Sequence, residues 1–456
     1  MAATTTMRIF LVQTAQGLTP SSGGYKANIS LLRELRSFGH AAAQICYGFE
    51  HEVEHYAERA AAKGIDPDVT ESTVPFVDFR GAKNNLLVKT FFDEYEIQHF
   101  VISRSLFKKD YPRKELWQET KDYIEVNDLR WREASDLVKA LVNLYTASIT
   151  EFRPTHVVFN DAMTMKIASL HPDRAKFKRV AVVHTAEQLP FGPYCSGLPG
   201  HCMSAEKEDV MLRDVDGIWV VSRAIHDYAI KYGNLETKFL NHSTMTYLDS
   251  KTGGIPERRR NENKEEVGMI NPCPCKGLSI LVALAKRLPH VNFVTWASWG
   301  SKPEHKELLQ SLPNVKIEDT TSDTDKIWDR IKILLAPSVW YEAWGIVVTE
   351  AQLRGIPVIA SEAGGLREAK LGLDYCIPVN LLTGEKDANG EYIIPDQDIT
   401  PWESAIVELM TDKTKYRDLS SNTWRTASKW FSGLDTRAQE KWFLDMMEAN
   451  DPKSEV

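Results

Sequence analysis

The stretch IKILLAPSVWYEAWGIVVTEAQLRGIPVIASEAGGL, residues 331–366, decides the fold class. Its first six residues are apolar apart from one lysine, which favours a buried strand, and Pro337 ends that strand. From Ile346 apolar residues recur at helical spacing as far as Gly355, and a second apolar run follows at 357–360. A strand, a loop, a helix and a strand in this order predict a parallel α/β sheet. The loop then lies at the carboxyl end of a strand, where such sheets bind ligands.

The residues of this loop favour a nucleotide sugar as the ligand. Gly345 lets the backbone approach a ligand, and the N–H groups of Ile346 and Val347 open a helix, which favours phosphate. Glu342 precedes that helix and Glu350 lies about two turns further on, so the two carboxylates suit the hydroxyls of a sugar and a ribose. The alternative is that both glutamates are solvated residues at a helix end.

The motifs of this region resemble those of a known enzyme family. Glu342-x7-Glu350, followed by GIPV from Gly355 and AGGL from Ala363, closely resembles the signature of retaining glycosyltransferases of family 4. That family has the GT-B fold, an α/β architecture of two Rossmann-like domains with parallel sheets facing a central cleft. The resemblance implies that Glu342 contacts the donor sugar and Glu350 the ribose. It also implies that the backbone of 345–347 holds the diphosphate.

Length, composition and charge limit the classes of protein. A chain of 456 residues, 43% hydrophobic and 26% charged, predicts a globular protein of two domains. A net charge of −8 gives no global attraction to nucleic acid, which we do not expect as a partner. We find no signal peptide pattern and no apolar stretch long enough to span a membrane. We therefore expect a cytoplasmic protein, with peripheral membrane contact left open.

We expect no metal site. Three groups have suitable residue types: Cys273 and Cys275; Cys195, His201 and Cys202; and Asp323 and Asp325. The first lacks the second ligand pair that zinc needs, and the second is better explained as a polar loop with incidental cysteines. The third has the Asp-x-Asp form of a metal clamp, but the family that the sequence resembles does not use one. The expected co-substrate is a nucleotide sugar, without a cofactor or a divalent metal.

The first half of the chain carries a second glycine-bearing loop. An apolar strand at 7–12 precedes Gly23 and Gly24, and a helix follows them. This arrangement tolerates phosphate, although many such turns only connect elements. The resemblance implies that both glycines lie against the diphosphate and the acceptor side of the cleft.

His184 ends a predicted strand at 178–183. It either donates a hydrogen bond to a sugar hydroxyl or is a satisfied structural histidine, and its chemistry alone favours neither. The family has a histidine after this strand that contacts the donor sugar, so the resemblance implies the functional role. The loop 187–194 is a candidate acceptor wall. The basic and aromatic segment 104–114 is better explained as a solvated loop than as a membrane or acceptor contact.

Residues 251–266 combine glycines, a proline and dense charge, so they predict the domain boundary. The arginines 258–260 are expected to be solvated there. We predict an acceptor-side domain at 1–250 and a donor-binding domain at 267–425. The helices of 426–456 would cross back to the first domain, as in the GT-B fold.

Lys276 stands at a helix start after the first strand of the second half. There it suits a counter-charge for phosphate or is a solvated surface lysine, and the resemblance assigns it to the donor diphosphate. The sequence departs from the family beside it, because Met269 replaces a common arginine. Lys276 then carries the charge alone, or another basic residue substitutes.

The resemblance implies a retaining hexosyltransferase that uses a UDP- or GDP-hexose. The acceptor hydroxyl would belong to a small molecule, a lipid or a sugar. The expected catalytic residues are His184, Lys276 and Glu342. The expected donor-binding residues are Gly23, Gly24, Lys276, Glu342, Gly345, Ile346, Val347 and Glu350. Two alternatives stay open: a sugar-nucleotide-binding partner subunit without transfer activity, and a GT-B phosphorylase or nucleotide-sugar hydrolase.

Overall fold

The computed structural model describes residues 6–18, 23–78, 80–104, 113–195, 206–240, 247–248, 253–298, 300–321, 323–388 and 390–448. The strands are β1 Arg8–Gln16, β2 Ala41–Gly48, β3 Thr70–Val77, β4 Lys83–Phe92, β5 Gln98–Ser103, β6 His156–Phe159, β7 Lys178–Val183, β8 Gly217–Val220, β9 Phe239–Leu240, β10 Glu266–Ile270, β11 Asn292–Trp296, β12 Val315–Glu318, β13 Ile333–Ala336, β14 Val358–Ser361 and β15 Cys376–Ile377. The helices are α1 Gly23–Ser37, α2 Glu50–Ala62, α3 Arg113–Glu125, α4 Asp136–Phe152, α5 Ala162–Ser169, α6 Glu206–Arg213, α7 Arg223–Gly233, α8 Leu278–Arg287, α9 Pro303–Gln310, α10 Asp325–Trp328, α11 Ile346–Leu353, α12 Leu366–Ala369, α13 Thr400–Thr411, α14 Lys413–Ser432 and α15 Ala438–Glu448.

The chain forms two units. The first contains Met1–Val221, His226–Thr246 and Thr436–Val456, and the second contains Ser222–Ile225 and Tyr247–Asp435. None of the described helices is both long enough and apolar enough to cross a membrane.

The first unit is built on a sheet with the strand order β3-β4-β5-β2-β1-β6-β7-β8-β9. From β5 to β9 all neighbours are parallel, in the Rossmann-like order. At the other end β4 pairs antiparallel with both β3 and β5, which adds to the predicted parallel sheet an antiparallel edge that the sequence did not indicate. The reason is a tight turn between β3 and β4. In it Asp78 accepts hydrogen bonds from the backbone N–H groups of Arg80 and Ala82, and Gly81 has a φ of +78°.

The helix α15 belongs to the first unit. Phe443 is fully buried in the core that contains β1 and α1, and Trp442 stacks on Phe239 with ring centroids 4.6 Å apart. His156 Nε2 lies 2.9 Å from the Phe443 carbonyl oxygen, and His40 Nε2 lies 2.8 Å from Glu440 Oε1. The helix α14 lies in the second unit. The chain therefore passes from the second unit back to the first between residues 435 and 436, and not at residue 426.

The second unit has a fully parallel sheet in the order β12-β11-β10-β13-β14-β15. Numbered along the chain this is 3-2-1-4-5-6, the order of a Rossmann fold. The strand-loop-helix-strand prediction for residues 331–366 is confirmed by β13, α11 and β14. Their apolar side chains share one core, which includes Leu334, Val348 and Val358.

The segment before β10 packs on the second unit. Asn261 is 5% exposed, and its Nδ2 donates to the carbonyl oxygens of Trp328 and Ile331. Arg259 forms ion pairs with Asp325 at 2.9 Å and with Asp329 at 2.8 Å. The expectation of solvated arginines is therefore wrong for Arg259, because the two carboxylates of the second unit balance the charge of its guanidinium and hold it against that unit.

Candidate active site

Two loops of the second unit, after β10 and after β13, are joined by backbone hydrogen bonds. The carbonyl oxygen of Cys275 accepts from Val339 N at 3.0 Å, from Trp340 N at 3.1 Å and from Ser338 Oγ at 3.1 Å. Gly277 has a φ of +89°, and an added Cβ would overlap the Pro337 carbonyl oxygen. Since β10 and β13 are neighbours, the loops form one surface at the carboxyl ends of the strands.

Lys276 and Glu342 meet on this surface. The ammonium group donates to Glu342 Oε1, and the side chains are 27% and 14% exposed. Burial by itself would lower the pKa of Lys276, but the Glu342 carboxylate outweighs burial with the help of the two nearby cysteines, so the pKa is raised. Lys276 therefore carries a charge at neutral pH, with a carboxylate partner to hold it in place.

The AGGL motif supports the loop that carries Glu342. Gly365 N donates to the Glu342 carbonyl oxygen at 2.7 Å. A Cβ on Gly364 would overlap that same oxygen, and a Cβ on Gly365 would overlap the Ala343 carbonyl oxygen. The two glycines are therefore needed because the backbone of one loop lies directly on the other.

Gly345 and Glu350 belong to the start and the body of α11. Gly345 has a φ of +100°, and an added Cβ would overlap the Leu366 side chain. Ile346 and Val347 are the first two helical residues, so their N–H groups point out of the helix start. Glu350 is partly buried one turn before the helix ends. The pKa of the Tyr247 phenol is raised, mainly because the phenol is buried and in addition because of the negative charge of Glu350.

In the first unit, His184 packs against Gly24. The histidine is 8% exposed, and a Cβ on Gly24 would lie 2.9 Å from His184 Cγ. Its Nε2 lies 2.6 Å from Asn28 Oδ1, and its backbone N donates to Gln188 Oε1 at 2.6 Å. The structure thus brings Gly24 and His184 together, whereas Gly23 is simply the first residue of α1.

A chain of buried polar side chains leads away from His184. Asn28 Nδ2 donates to Gln13 Oε1 at 3.2 Å, and Gln13 Nε2 donates to Gln44 Oε1 at 3.2 Å. Gln44 Nε2 lies 2.8 Å from His99 Nδ1, and His99 Nε2 lies 3.1 Å from Asp93 Oδ2. Sequence reasoning missed this chain. Its signal was the pair of glutamines within the apolar strands β1 and β2.

The comparisons with known proteins identify the second unit. Residues 267–412 match the family model described as glycosyl transferases group 1.

This protein carries a group 1 glycosyltransferase domain on a GT-B fold.

Solved structures match almost the whole glycosyltransferase chain. The sucrose-phosphate synthase of Thermosynechococcus elongatus matches with 15% identity and a TM-score of 0.64, over 97% of this chain and 100% of that chain. HepE of Anabaena, solved with UDP-glucose, matches with 16% identity and a TM-score of 0.60, over 97% and 99%. TarM matches with 10% identity and a TM-score of 0.61, over 98% and 99%. No curated protein sequence matches the chain. The prediction of a GT-B glycosyltransferase is confirmed, and the assignment to family 4 stays a prediction.

Within the glycosyltransferase domain, six of the predicted donor residues lie on the two loops and α11: Lys276, Glu342, Gly345, Ile346, Val347 and Glu350. Met269 is 1% exposed within β10, so its side chain is part of the core. Asp325 forms ion pairs with Arg259 and Arg354, at 2.9 and 3.6 Å, and these pairs account for the second aspartate of the Asp-x-Asp motif.

Two of the cysteines lie side by side at this site. Cys273 Sγ and Cys275 Sγ lie 3.6 Å apart beside Lys276, and the hydrogen bond between the thiols lowers the pKa of Cys273. His201 and Cys202 lie outside the described residues, as does most of the segment 104–114. Among the residues that the structure describes, no three His, Cys, Asp or Glu side chains are grouped as metal ligands.

Proposed function

We propose that this glycosyltransferase is retaining and that it moves a hexose from a UDP- or GDP-hexose to an acceptor hydroxyl without a divalent metal. The observation that carries the proposal is the pair of Lys276 and Glu342, held beside the glycine-opened start of α11. A cation, a carboxylate and free helical N–H groups are the groups that a diphosphate sugar needs.

Lys276 and the first N–H groups of α11 would bind the donor diphosphate. As the bond to the sugar breaks, negative charge grows on the leaving phosphate, and a fixed ammonium stabilises that charge without a metal. The raised pKa of Lys276 supports this role, because the group stays protonated at neutral pH. When the donor binds, Glu342 would give up its hydrogen bond with Lys276 and accept one from a hydroxyl of the sugar. Glu350 would accept a hydrogen bond from a hydroxyl of the ribose.

His184 would form a hydrogen bond with a hydroxyl of the transferred hexose, next to Gly24. The departing phosphate would take the proton of the acceptor on the face of attack, which retains the anomeric configuration. Glu342 orients the sugar in this scheme and is not a nucleophile. The second unit would bind the donor and the first unit the acceptor, a small molecule, a lipid or a sugar. A cytoplasmic location stays a prediction from the sequence.

UDP-hexoses are the first donors to test, because HepE was solved with UDP-glucose and with UDP. The experiment incubates the full chain and a panel of UDP- and GDP-hexoses with candidate acceptors, with and without a chelator. Nucleoside diphosphate release and the anomeric configuration of the product are measured. We expect release that needs an acceptor, survives the chelator and retains the configuration.

Other outcomes select other functions. An inverted product would overturn the retaining mechanism, and loss of activity with the chelator would overturn metal independence. Release that needs inorganic phosphate would indicate a phosphorylase, and release of free sugar without an acceptor would indicate a hydrolase. Donor binding without any release would indicate the partner subunit, which the core position of Met269 favours.

A further inference from the structure

The buried chain that ends at His184 has a defined direction. An amide nitrogen only donates and an amide oxygen only accepts, so the orientation of each amide fixes which neighbour donates and which accepts. Gln44 Nε2 donates to His99 Nδ1, which leaves the proton of a neutral His99 on Nε2, facing Asp93. At the other end Asn28 Oδ1 accepts, so His184 Nε2 must donate. The four hydrogen bonds from His99 to His184 are all satisfied in this one direction, and the link from His99 to Asp93 is an ion-pair contact with Nε2 3.1 Å from Oδ2.

Asp93 is the member that selects this direction over its reverse. The same five links could in principle run with every amide rotated and both imidazole protons moved. An ionised carboxylate has no proton to donate, and its charge lies 3.1 Å from His99 Nε2, where it favours an N–H over a lone pair and so excludes the reverse arrangement. Two backbone N–H groups, of Tyr95 and Ile97, donate to Asp93 Oδ1 at 2.9 Å each and hold the carboxylate in place.

The surroundings of the chain keep it from rearranging locally. Gln13, Gln44, His99 and Asp93 are each at most 1% exposed, so water does not replace a lost partner. The His99 ring stacks on Phe91, with centroids 4.8 Å apart and planes 14° apart. Gly24 lies against the His184 ring so closely that an added Cβ would overlap the ring. A buried donor facing a donor is costly, so the links are expected to reorient together or not at all.

We propose that Asp93 sets the tautomer of His184 through His99, Gln44, Gln13 and Asn28. Nε2 of His184 carries the proton, and Nδ1 presents its lone pair. Under the proposed function, on which this last step rests, Nδ1 accepts a hydrogen bond from a hydroxyl of the transferred sugar. Asp93 and the four side chains between it and His184 are then positioning residues.

The substitution Asp93→Asn tests the proposal. The new amide must keep its oxygen toward the N–H groups of Tyr95 and Ile97, so its NH₂ group faces His99 Nε2. That nitrogen becomes an acceptor, the amides rotate in turn, and the proton of His184 moves from Nε2 to Nδ1. The measurement is the ¹⁵N spectrum of the imidazoles in the full chain without ligand, with His184 assigned from a His184→Asn variant.

Two further variants isolate the cause. Asp78→Asn is the matched control, because Asp78 also accepts from two backbone N–H groups of the same unit but is not in the chain. It should leave His184 protonated on Nε2. Gln13→Met interrupts the chain, and on that background Asp93→Asn should no longer change the tautomer. A wild-type His184 protonated on Nδ1, or one that stays on Nε2 in folded Asp93→Asn, would overturn the proposal.

Activity is a separate readout. Under the proposed function Asp93→Asn lowers kcat for transfer by about tenfold, with a smaller change in KM for the donor, as for a lost hydrogen bond. A tautomer change with no effect on kcat would support the relay and remove its functional step. The spectrum is recorded without donor or acceptor, so a failure of the proposed function does not alter it.

Discussion

The two units hold their candidate site residues by different means. In the second unit the backbone holds the site: the Cys275 carbonyl joins the loops after β10 and β13, and Gly364 and Gly365, in a third segment, support the loop that carries Glu342. In the first unit His184 is held by a series of buried side chains that begins at Asp93. The backbone arrangement depends on glycines and tolerates changes of other side chains. The side-chain arrangement fails when any one member is lost, because the neighbours are left buried without partners.

The largest expected effect is on activity, at the charged pair of the second unit. Lys276→Ala removes the cation that faces the leaving phosphate and should lower kcat for transfer by about 10²–10³-fold. Lys302→Ala is the control, because Lys302 pairs with Glu391 on the surface of the same unit. Steady-state kinetics with the preferred donor would show the difference. Equal activity of both variants would remove Lys276 from the mechanism.

The next prediction tests the backbone arrangement. Gly277→Ala adds a Cβ that overlaps the Pro337 carbonyl oxygen, in addition to the cost of a left-handed φ. Together these should lower the free energy of unfolding by about 3 kcal/mol. Gly372→Ala is the matched control, since Gly372 has a φ of +76° with no neighbour within 4 Å, and it should cost about 1 kcal/mol. Denaturant unfolding of both variants measures the difference, and equal losses would contradict the close approach of the loops.

Acid should destabilise the first unit selectively. Burial lowers the pKa of His156 from 6.5 to about 4, so the native state holds this histidine neutral while the unfolded chain protonates first. Its contribution is fully present above pH 6.5, is lost as the pH falls toward 4, and amounts to about 3 kcal/mol. The lowered pKa of Asp93 acts in the same direction, since that contribution too is lost in acid.

Hydrogen exchange at pH 7 and pH 4.5 would report each unit separately. We expect protection to fall in β1 and β6 of the first unit and to change less in β10 and β13. His156→Gln keeps a donor for the Phe443 carbonyl oxygen and should flatten the pH dependence of the first unit. An equal loss in both units would contradict the contrast between them.

A smaller effect is expected from interrupting the buried chain. Gln13→Met leaves the Gln44 oxygen and the Asn28 amide without their partner, which should cost about 2 kcal/mol of stability. Gln188→Met removes a partly exposed acceptor of the His184 backbone and should cost less. Thermal unfolding of the two variants would compare these losses. A larger loss of stability from Gln188→Met would mean that His184 is held mainly by the loop that follows it and not by the buried chain.

The features found from sequence were those encoded within short stretches. Glu342, Gly345 and Glu350 lie within one strand-loop-helix unit, and the spacing of its apolar residues and the positions of its glycines predict its geometry. The pairing of Lys276 with Glu342 joins residues 66 positions apart, and no local pattern contains it. The sequence also left unexplained why AGGL follows, because the contact with the Glu342 carbonyl depends on the folded loop.

The features missed from sequence depend on distant partners. Gly24 and His184 were assigned roles separately, although they pack together. The polar chain draws on β1, α1, β2 and β5, and each of its members looks ordinary in its own stretch. The hairpin of β3 and β4 was missed because β3 is mostly exposed and lacks a regular apolar alternation. Arg259 was expected in solvent because its partners Asp325 and Asp329 are distant in sequence.

Nucleotide binding by the second unit tests the central claim most directly. The melting temperature would be measured with UDP, GDP, ADP and their hexoses for wild type, Glu350→Ala and the control Glu403→Ala, whose carboxylate pairs with Arg287 on the surface. A ligand at 100 times its Kd stabilises by about 2.7 kcal/mol, a shift of about 5–10 °C for a unit of this size. We predict that one nucleotide and its hexose raise the melting temperature of wild type and Glu403→Ala but not of Glu350→Ala. No shift with any nucleotide, or an equal shift in Glu350→Ala, would contradict the account.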